Sequence, residues 1–349
     1  MTNLKVQPTY LKLNERKIMP VDGPLVDRYN RVHSDLRISV TDRCNFRCIY
    51  CLPDGNLPTV AKKMLLSFEE IIRVARILKK LGIKTVRLTG GEPLLRRHLS
   101  ELILGLDKLG FEDISLTTNG YLLADCASEL KAAGLKRVNI SLDSLEESKF
   151  ASIRRRGNLK TVLEGLDAAK LAGLTPVKVN VVVMAGVNED EIADFIPFAA
   201  KTGTTVRFIE FMPLDSNGSW SLDKFVPFDS ILNKINSKWK IEPCQIKDNS
   251  APSRYFRATE TNVVFGIIGS ISKQFCSTCD RLRLTSDGSL RNCLFATDET
   301  SLLGELRNGN SDQELELLIR KTVWGKKIAH GTDQIGLAKP SRPMSMVGG

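Results

Sequence analysis

Between residues 35 and 213 the chain alternates strand-like and helix-like segments about six times. The strand signals are "LRISVTD" (36–42), "KTVRLTGGEP" (84–93), "EDISLTTNG" (112–120), "KRVNISLDS" (136–144), "PVKVNVVVMAG" (176–186) and "TTVRFIEFMP" (204–213). Helical patterns fill the gaps. In "LLSFEEIIRVARILKKLG" (65–82), Ser67 can cap the helix start, acids occupy the first turn and lysines the last. Further helices are expected at about 98–109, up to Gly134, at 159–172 and at 189–201. Such alternation implies a parallel sheet with helical crossovers. Six units closing on themselves make an incomplete (β/α)6 TIM-like barrel; an open doubly wound sheet is the alternative. We expect the barrel over 35–213, an N-terminal extension over 1–34 and a smaller region over 214–349. In the last region "RYFRATETNVVFGIIGSIS" and "RLRLTSDGSLRNC" read as hairpins, the second turning at Asp287-Gly288.

Helices cover the outside of such a barrel, so outward strand positions should be apolar. Read by alternation, Arg37, Ser39 and Thr41 oppose Ile38 and Val40. Arg87 and Thr89 oppose Val86 and Leu88, and Ser115 and Thr117 oppose Ile114 and Leu116. Asn139, Ser141 and Asp143 oppose Val138, Ile140 and Leu142; Lys178 and Asn180 oppose Val177, Val179 and Val181. The polar face should be the lumen. It then carries three cations, Arg37, Arg87 and Lys178. Burying an unpaired cation costs several kcal/mol, so each needs an anionic ligand or a strand-end acid such as Asp42 or Glu210.

The formal net charge of +10 also suits an anionic partner. No apolar run is long enough to span a membrane, and the first 20 residues lack a secretory apolar core. The expectation is a cytoplasmic protein with no membrane partner. In that reducing setting the eight cysteines point to metal or redox chemistry.

Three of them lie within eight residues in "TDRCNFRCIYC", spaced C-x3-C-x2-C: Cys44, Cys48 and Cys51. Three thiolates leave a tetrahedral zinc one ligand short. They suit a [4Fe–4S] cube with one iron left open for a small molecule. The segment follows the first strand, on the face where (β/α) barrels hold their active sites. A zinc site completed from a distance is the alternative. Cys276, Cys279 and Cys293 form a second triplet, C-x2-C-x13-C. It reads as a second cube with an open iron, facing the first across the barrel mouth. A zinc site completed by His330 or Cys244 is again the alternative.

With Tyr50 as the aromatic before its last cysteine, the first triplet closely resembles the signature of the radical S-adenosylmethionine superfamily. "TGGEP" (89–93) after the second strand strengthens the resemblance. The second triplet and the ordered segments "VRLTGGEPLLRR", "LTTNG", "NISLDSL", "VKVNVVV", "RFIEFMPL", "FCSTCDRLRLTSDG" and "VGG" resemble the GTP 3′,8-cyclase family, which begins molybdenum cofactor biosynthesis.

The resemblance implies two [4Fe–4S] clusters, on Cys44, Cys48 and Cys51 and on Cys276, Cys279 and Cys293. It implies an S-adenosyl-L-methionine site at Tyr50, Gly91, Ser141 and Met212. GTP contacts are implied for Arg37, Arg87, Thr117, Lys178, Arg281 and Arg283, and a catalytic tail for Gly348 and Gly349. It further implies a reductant as electron source, a downstream cyclic pyranopterin monophosphate synthase that uses the product, and a homodimer. Two rival readings remain. One is another auxiliary-cluster radical enzyme, such as a peptide maturase. The other is a basic zinc-bearing nucleic-acid-binding protein, supported by the net charge and by "RRRG" at 154–157. That run reads better as a solvated loop or helix start, because interleaved aromatics are lacking, so no nucleic-acid partner is expected.

Overall fold

The computed structural model describes residues 15–51, 59–214, 220–245, 252–330 and 342–348. The expected alternation is present. In chain order it runs β1 (Asp35–Ser39), α1 (Phe68–Lys80), β2 (Thr85–Thr89), α2 (Leu99–Lys108), β3 (Asp113–Thr118), α3 (Leu123–Ala132), β4 (Arg137–Ser141), α4 (Glu147–Arg154), α5 (Leu159–Leu171), β5 (Lys178–Val183), α6 (Phe195–Thr202) and β6 (Thr205–Glu210). Strands β1 to β6 pair side by side and parallel, as an incomplete barrel requires. Ser67 caps α1 in a reciprocal box with Glu70. Ile38, Val86, Leu88, Ile114, Val138, Ile140, Val179 and Val181 are buried in the main core, as the alternation requires.

The later elements are α7 (Phe228–Asn236), β7 (Ile241–Cys244), β8 (Arg254–Ala258), β9 (Val263–Ile268), β10 (Arg281–Leu284), β11 (Ser289–Arg291), β12 (Thr300–Ser301), α8 (Leu303–Arg307), α9 (Asp312–Trp324) and α10 (Met344–Val347). Both expected hairpins form, β8–β9 and β10–β11. They also join the barrel sheet: β9 pairs parallel with β6, and β10 pairs parallel with β1. The six-stranded core is thus extended at both edges by C-terminal strands.

The orientation of β10 decides where the second triplet lies. Because β10 runs parallel to β1, residues just before it lie at the N-terminal end of the barrel strands. Cys276 and Cys279 precede β10, and Cys293 follows the antiparallel β11, so all three belong to that end. Cys44, Cys48 and Cys51 follow β1 and belong to the opposite end. The two triplets therefore face each other along the lumen, and not across its mouth as expected. The strand β1 between those two ends rises about 13 Å, four steps of about 3.3 Å.

Among the described residues no helix is long and apolar enough to cross a membrane.

Candidate active site

The lumen is a cavity of about 290 Å³, lined by both cysteine triplets and by residues from nearly every barrel strand. At its C-terminal end Gly91 packs against the cysteine loop: its amide donates to the Thr41 carbonyl at 2.7 Å. A Cβ on Gly91 would overlap the carbonyl of Arg43, so the approach requires glycine. Glu92 fixes the same turn, accepting from Leu94 N at 3.1 Å, Thr118 Oγ1 at 2.7 Å and Asn119 N at 2.7 Å. Burial pushes its carboxyl up to about 7. Tyr50, Ser141 and Met212 line this end of the cavity.

Arg154 closes the site from behind, contrary to the solvated reading of "RRRG". It is the last residue of α4 and is 2% exposed, whereas Arg155 and Arg156 face solvent. Its guanidinium donates to Cys48 Sγ at 3.1 Å and Tyr50 Oη at 2.9 Å, and it pairs with Asp143 at 2.8 Å. A charge run read as solvated surface therefore holds one buried member that braces the first triplet. The thiols of this triplet act on one another electrostatically. Burial pushes Cys44 up to about 12, and burial together with its sister thiols raises Cys51 as well. A bound metal reverses that preference, since it binds the thiolate.

Further down, register builds a row of like charges. Arg37 of β1 is the cross-strand partner of Arg283 on β10 and of Arg87 on β2. Like charges placed side by side on a sheet destabilise it. Burial holds the Arg37 guanidinium below its ordinary range, and Arg283 and Arg87 add to the effect. Burial, then Arg281, lowers Arg283 to about 10. Arg207 of β6 reaches along the wall to Asn180 Oδ1 on the adjacent β5 at 2.7 Å and to Asn139 Oδ1 on β4 at 2.7 Å. It is 4% exposed, and alternation applied to β6 would have found it.

Other buried arginines have acids. Arg31 pairs with Asp27 at 2.6 Å, Arg137 with Asp113 at 2.8 Å and Arg291 with Glu299 at 2.9 Å. Among the described residues no carboxylate lies within ion-pair distance of Arg37, Arg87, Arg207, Arg281 or Arg283. The Arg37 Nε and the Arg281 Nε and Nη2 are buried without a hydrogen-bond acceptor. The strand-end acids offered as partners are otherwise engaged. Glu210 accepts from the amides of Phe228, Ile271 and Ser272. Asp42 takes the amide of Val60 on Oδ2, while its Oδ1 is buried without a partner among the described residues and no arginine of the row is within ion-pair distance of it.

Thr117 also lines the cavity, as expected. Lys178 is outside the lining; it opens β5 two residues before Asn180, and Asn180 and Arg207 occupy the wall there. The tail enters from the C-terminal end of the strands. Met344 and Ser345 line the cavity, and the Gly348 carbonyl accepts from Arg283 Nη1. Gly349 lies outside the described residues.

At the other end Cys276, Cys279 and Cys293 line the cavity with Phe275, Phe295 and His330. Arg281 stacks on the Phe275 ring at 4.6 Å. Burial pushes Cys276 up to about 11. Burial also acts to raise Cys279, but Lys326 and Arg281 outweigh it and hold that thiol at about 6. Of the two proposed extra ligands, His330 is nearby, but its Nε2 lies 2.9 Å from the Ser270 carbonyl. Cys244 is on β7, the outermost strand of the other sheet edge. Zinc needs four ligands converging on one ion; among the described residues no three or more His, Cys, Asp or Glu side chains converge in that way, the cysteine triplets included. A cube asks for one thiolate per iron. Three thiols, buried cations and a glycine cradle fit such clusters and an anionic ligand between them.

Two family models cover the chain: Radical SAM superfamily over residues 38–199, and Molybdenum Cofactor Synthesis C over residues 204–332. A GTP 3′,8-cyclase of Mycobacterium sp. (strain KMS) is 44% identical over 333 residues, covering 95% of each chain. The chain belongs to the GTP 3′,8-cyclase family of radical S-adenosylmethionine enzymes. Another family member, from Rhodopirellula baltica, is 43% identical over 330 residues, 93% of this chain and 92% of its own. Among solved structures, native anSMEcpe with bound AdoMet superposes with a TM-score of 0.58 at 17% identity, over 85% of this chain and 81% of its own. Streptococcus suis SuiB bound to precursor peptide SuiA gives 0.60 at 15% identity, over 88% of this chain and 68% of its own. At those identities the likeness is one of fold.

Proposed function

We infer that the protein is a GTP 3′,8-cyclase. It joins ribose C3′ of GTP to guanine C8, giving (8S)-3′,8-cyclo-7,8-dihydroguanosine 5′-triphosphate, the first step of molybdenum cofactor biosynthesis. The observation that carries this reading is the in-register row Arg283–Arg37–Arg87, with no carboxylate within ion-pair distance among the described residues, between two cysteine triplets at opposite ends of one lumen. A triphosphate supplies the counter-charge that row lacks. A neutral peptide under the rival maturase reading does not, and an acidic one would bring single carboxylates in place of a polyanion.

When bound, a cluster on Cys44, Cys48 and Cys51 supplies the electron that cleaves S-adenosylmethionine. The chain's own residues do the rest. Gly91 and Glu92 hold the turn that meets the methionine group, while Tyr50, Ser141 and Met212 wall the remainder. Arg37, Arg87, Arg283 and Arg207 hold the triphosphate in the middle of the lumen. Arg281 and Thr117, which line the cavity, complete the nucleotide site. A second cluster, on Cys276, Cys279 and Cys293, fits the base end. The product is an isomer of GTP: one hydrogen leaves C3′, and one electron and one proton from the reductant and solvent replace it.

Arg37→Gln tests the triphosphate assignment. A charge-assisted hydrogen bond contributes about 1.5–3 kcal/mol, so GTP should bind roughly ten- to a hundredfold more weakly. Guanosine binding should stay within about twofold, because it has no phosphate to lose. Equal losses for both ligands would remove Arg37 from the phosphate site.

A further inference from the structure

Lys326 follows α9 and is 3% exposed. Its ammonium donates to the carbonyl of Cys279 at 3.1 Å and of Arg281 at 2.9 Å, and sits 3.5 Å from Cys279 Sγ. Those contacts use its three donors. The other cations nearby have different commitments. Arg31 is neutralised by Asp27 at 2.6 Å and braces the carbonyls of Cys276 and Lys327 at 2.7 Å each. Arg281 also acts on Cys279, as described above, but it lies over Phe275 and opens onto the cavity, where a bound anion would share its charge. Lys326 does not line the cavity, and among the described residues no carboxylate is within ion-pair distance of it. A buried ammonium needs an anion, and the anion within reach is the sulfur of Cys279.

The first triplet offers a contrast. Arg154 touches Cys48 Sγ at 3.1 Å, but Asp143 at 2.8 Å cancels most of its charge. One cation–sulfur contact is neutralised and the other is not. Reduction potentials of iron–sulfur clusters respond to net charge and to hydrogen bonds on the sulfurs.

We propose that Lys326 is a positioning residue for the second cysteine triplet: its uncompensated charge on Cys279 Sγ raises the reduction potential of the cluster held there. The inference rests on the second-cluster reading given above. Lys326 acts through Cys279 and does not touch GTP. A fixed positive charge stabilises the more negative, reduced cluster. Without it, the second cluster accepts an electron less readily.

The test uses the full-length chain with Cys48→Ala, reconstituted with iron and sulfide without oxygen, so that the second cluster is observed alone. Lys326→Gln removes the charge and keeps a donor for the two carbonyls; Lys326→Arg keeps the charge. Dithionite titration followed by electron paramagnetic resonance reads the potential. At the potential where the parent is half reduced, about a tenth or less of the Gln variant should be reduced. That is a tenfold change in equilibrium, or about 59 mV for one electron. The Arg variant should stay near the parent. Loss of iron from Gln but not from Arg would also support a charge requirement. Equal potentials in Gln and Arg, or loss of iron from both, would overturn the proposal. A parent with zinc or no cluster would instead sink the second-cluster reading, and this inference with it.

Discussion

Cys48→Ala is expected to abolish release of 5′-deoxyadenosine, while Cys279→Ala leaves that release intact and abolishes the cyclised product. The two triplets stand at opposite ends of the lumen, so each can be disarmed without touching the other. Cys48 is buried and braced by Arg154, which keeps Tyr50 and Asp143 as partners when the sulfur goes. The wall at that end should therefore survive the substitution. Iron should fall from about eight to about four per chain in either variant, one cube being lost. Chromatography of both nucleoside products, with an iron and zinc assay on the same samples, decides the matter. Persistent 5′-deoxyadenosine in Cys48→Ala would mean that the first triplet does not serve reductive cleavage. Zinc loss in Cys279→Ala would mean a structural ion at the second.

Gly348→Ala should stop cyclisation while sparing both clusters and 5′-deoxyadenosine release. Gly348 has φ +79°, and a Cβ there would overlap Thr89 Oγ1 on β2. The left-handed backbone alone costs an alanine about 1–2 kcal/mol, and the overlap adds to it. The tail would leave its seat, and the Gly348 carbonyl would release Arg283, one of the row that holds the triphosphate. Cyclised product should drop at least about tenfold. A short peptide ending in "MVGG" should restore part of it by occupying the same channel. Undiminished product from Gly348→Ala would mean that the tail is ordinary chain end.

Much of this was legible in the sequence because barrel strands alternate strictly. Ile38 and Val86 had to face the helices, which left Arg37 and Arg87 nowhere but the lumen. The same rule reaches Arg207, between the buried Val206 and Phe208. Arg154 lies beyond any such rule. Its charge reads as surface until α4 is seen to end against Cys48, a contact 106 residues away in sequence. The place of the second triplet depended on a similar distant event. The hairpin β10–β11 is local and readable, but the parallel pairing of β10 with β1 joins segments about 245 residues apart and turns the triplet toward the opposite end of the barrel. Lys178 shows the converse: the alternation rule chose its face, but not its depth along the lumen.

Abstraction of hydrogen from ribose C3′ separates the cyclase reading from every alternative, whether peptide modification or a zinc-bound structural role. The direct measurement is an anaerobic turnover with GTP deuterated at C3′, S-adenosylmethionine and a reductant, read by mass spectrometry of both products. The account predicts one deuterium in 5′-deoxyadenosine, and a cyclised product lighter than its substrate by the difference between deuterium and hydrogen. Unlabelled 5′-deoxyadenosine beside a cyclised product that keeps its deuterium would contradict it.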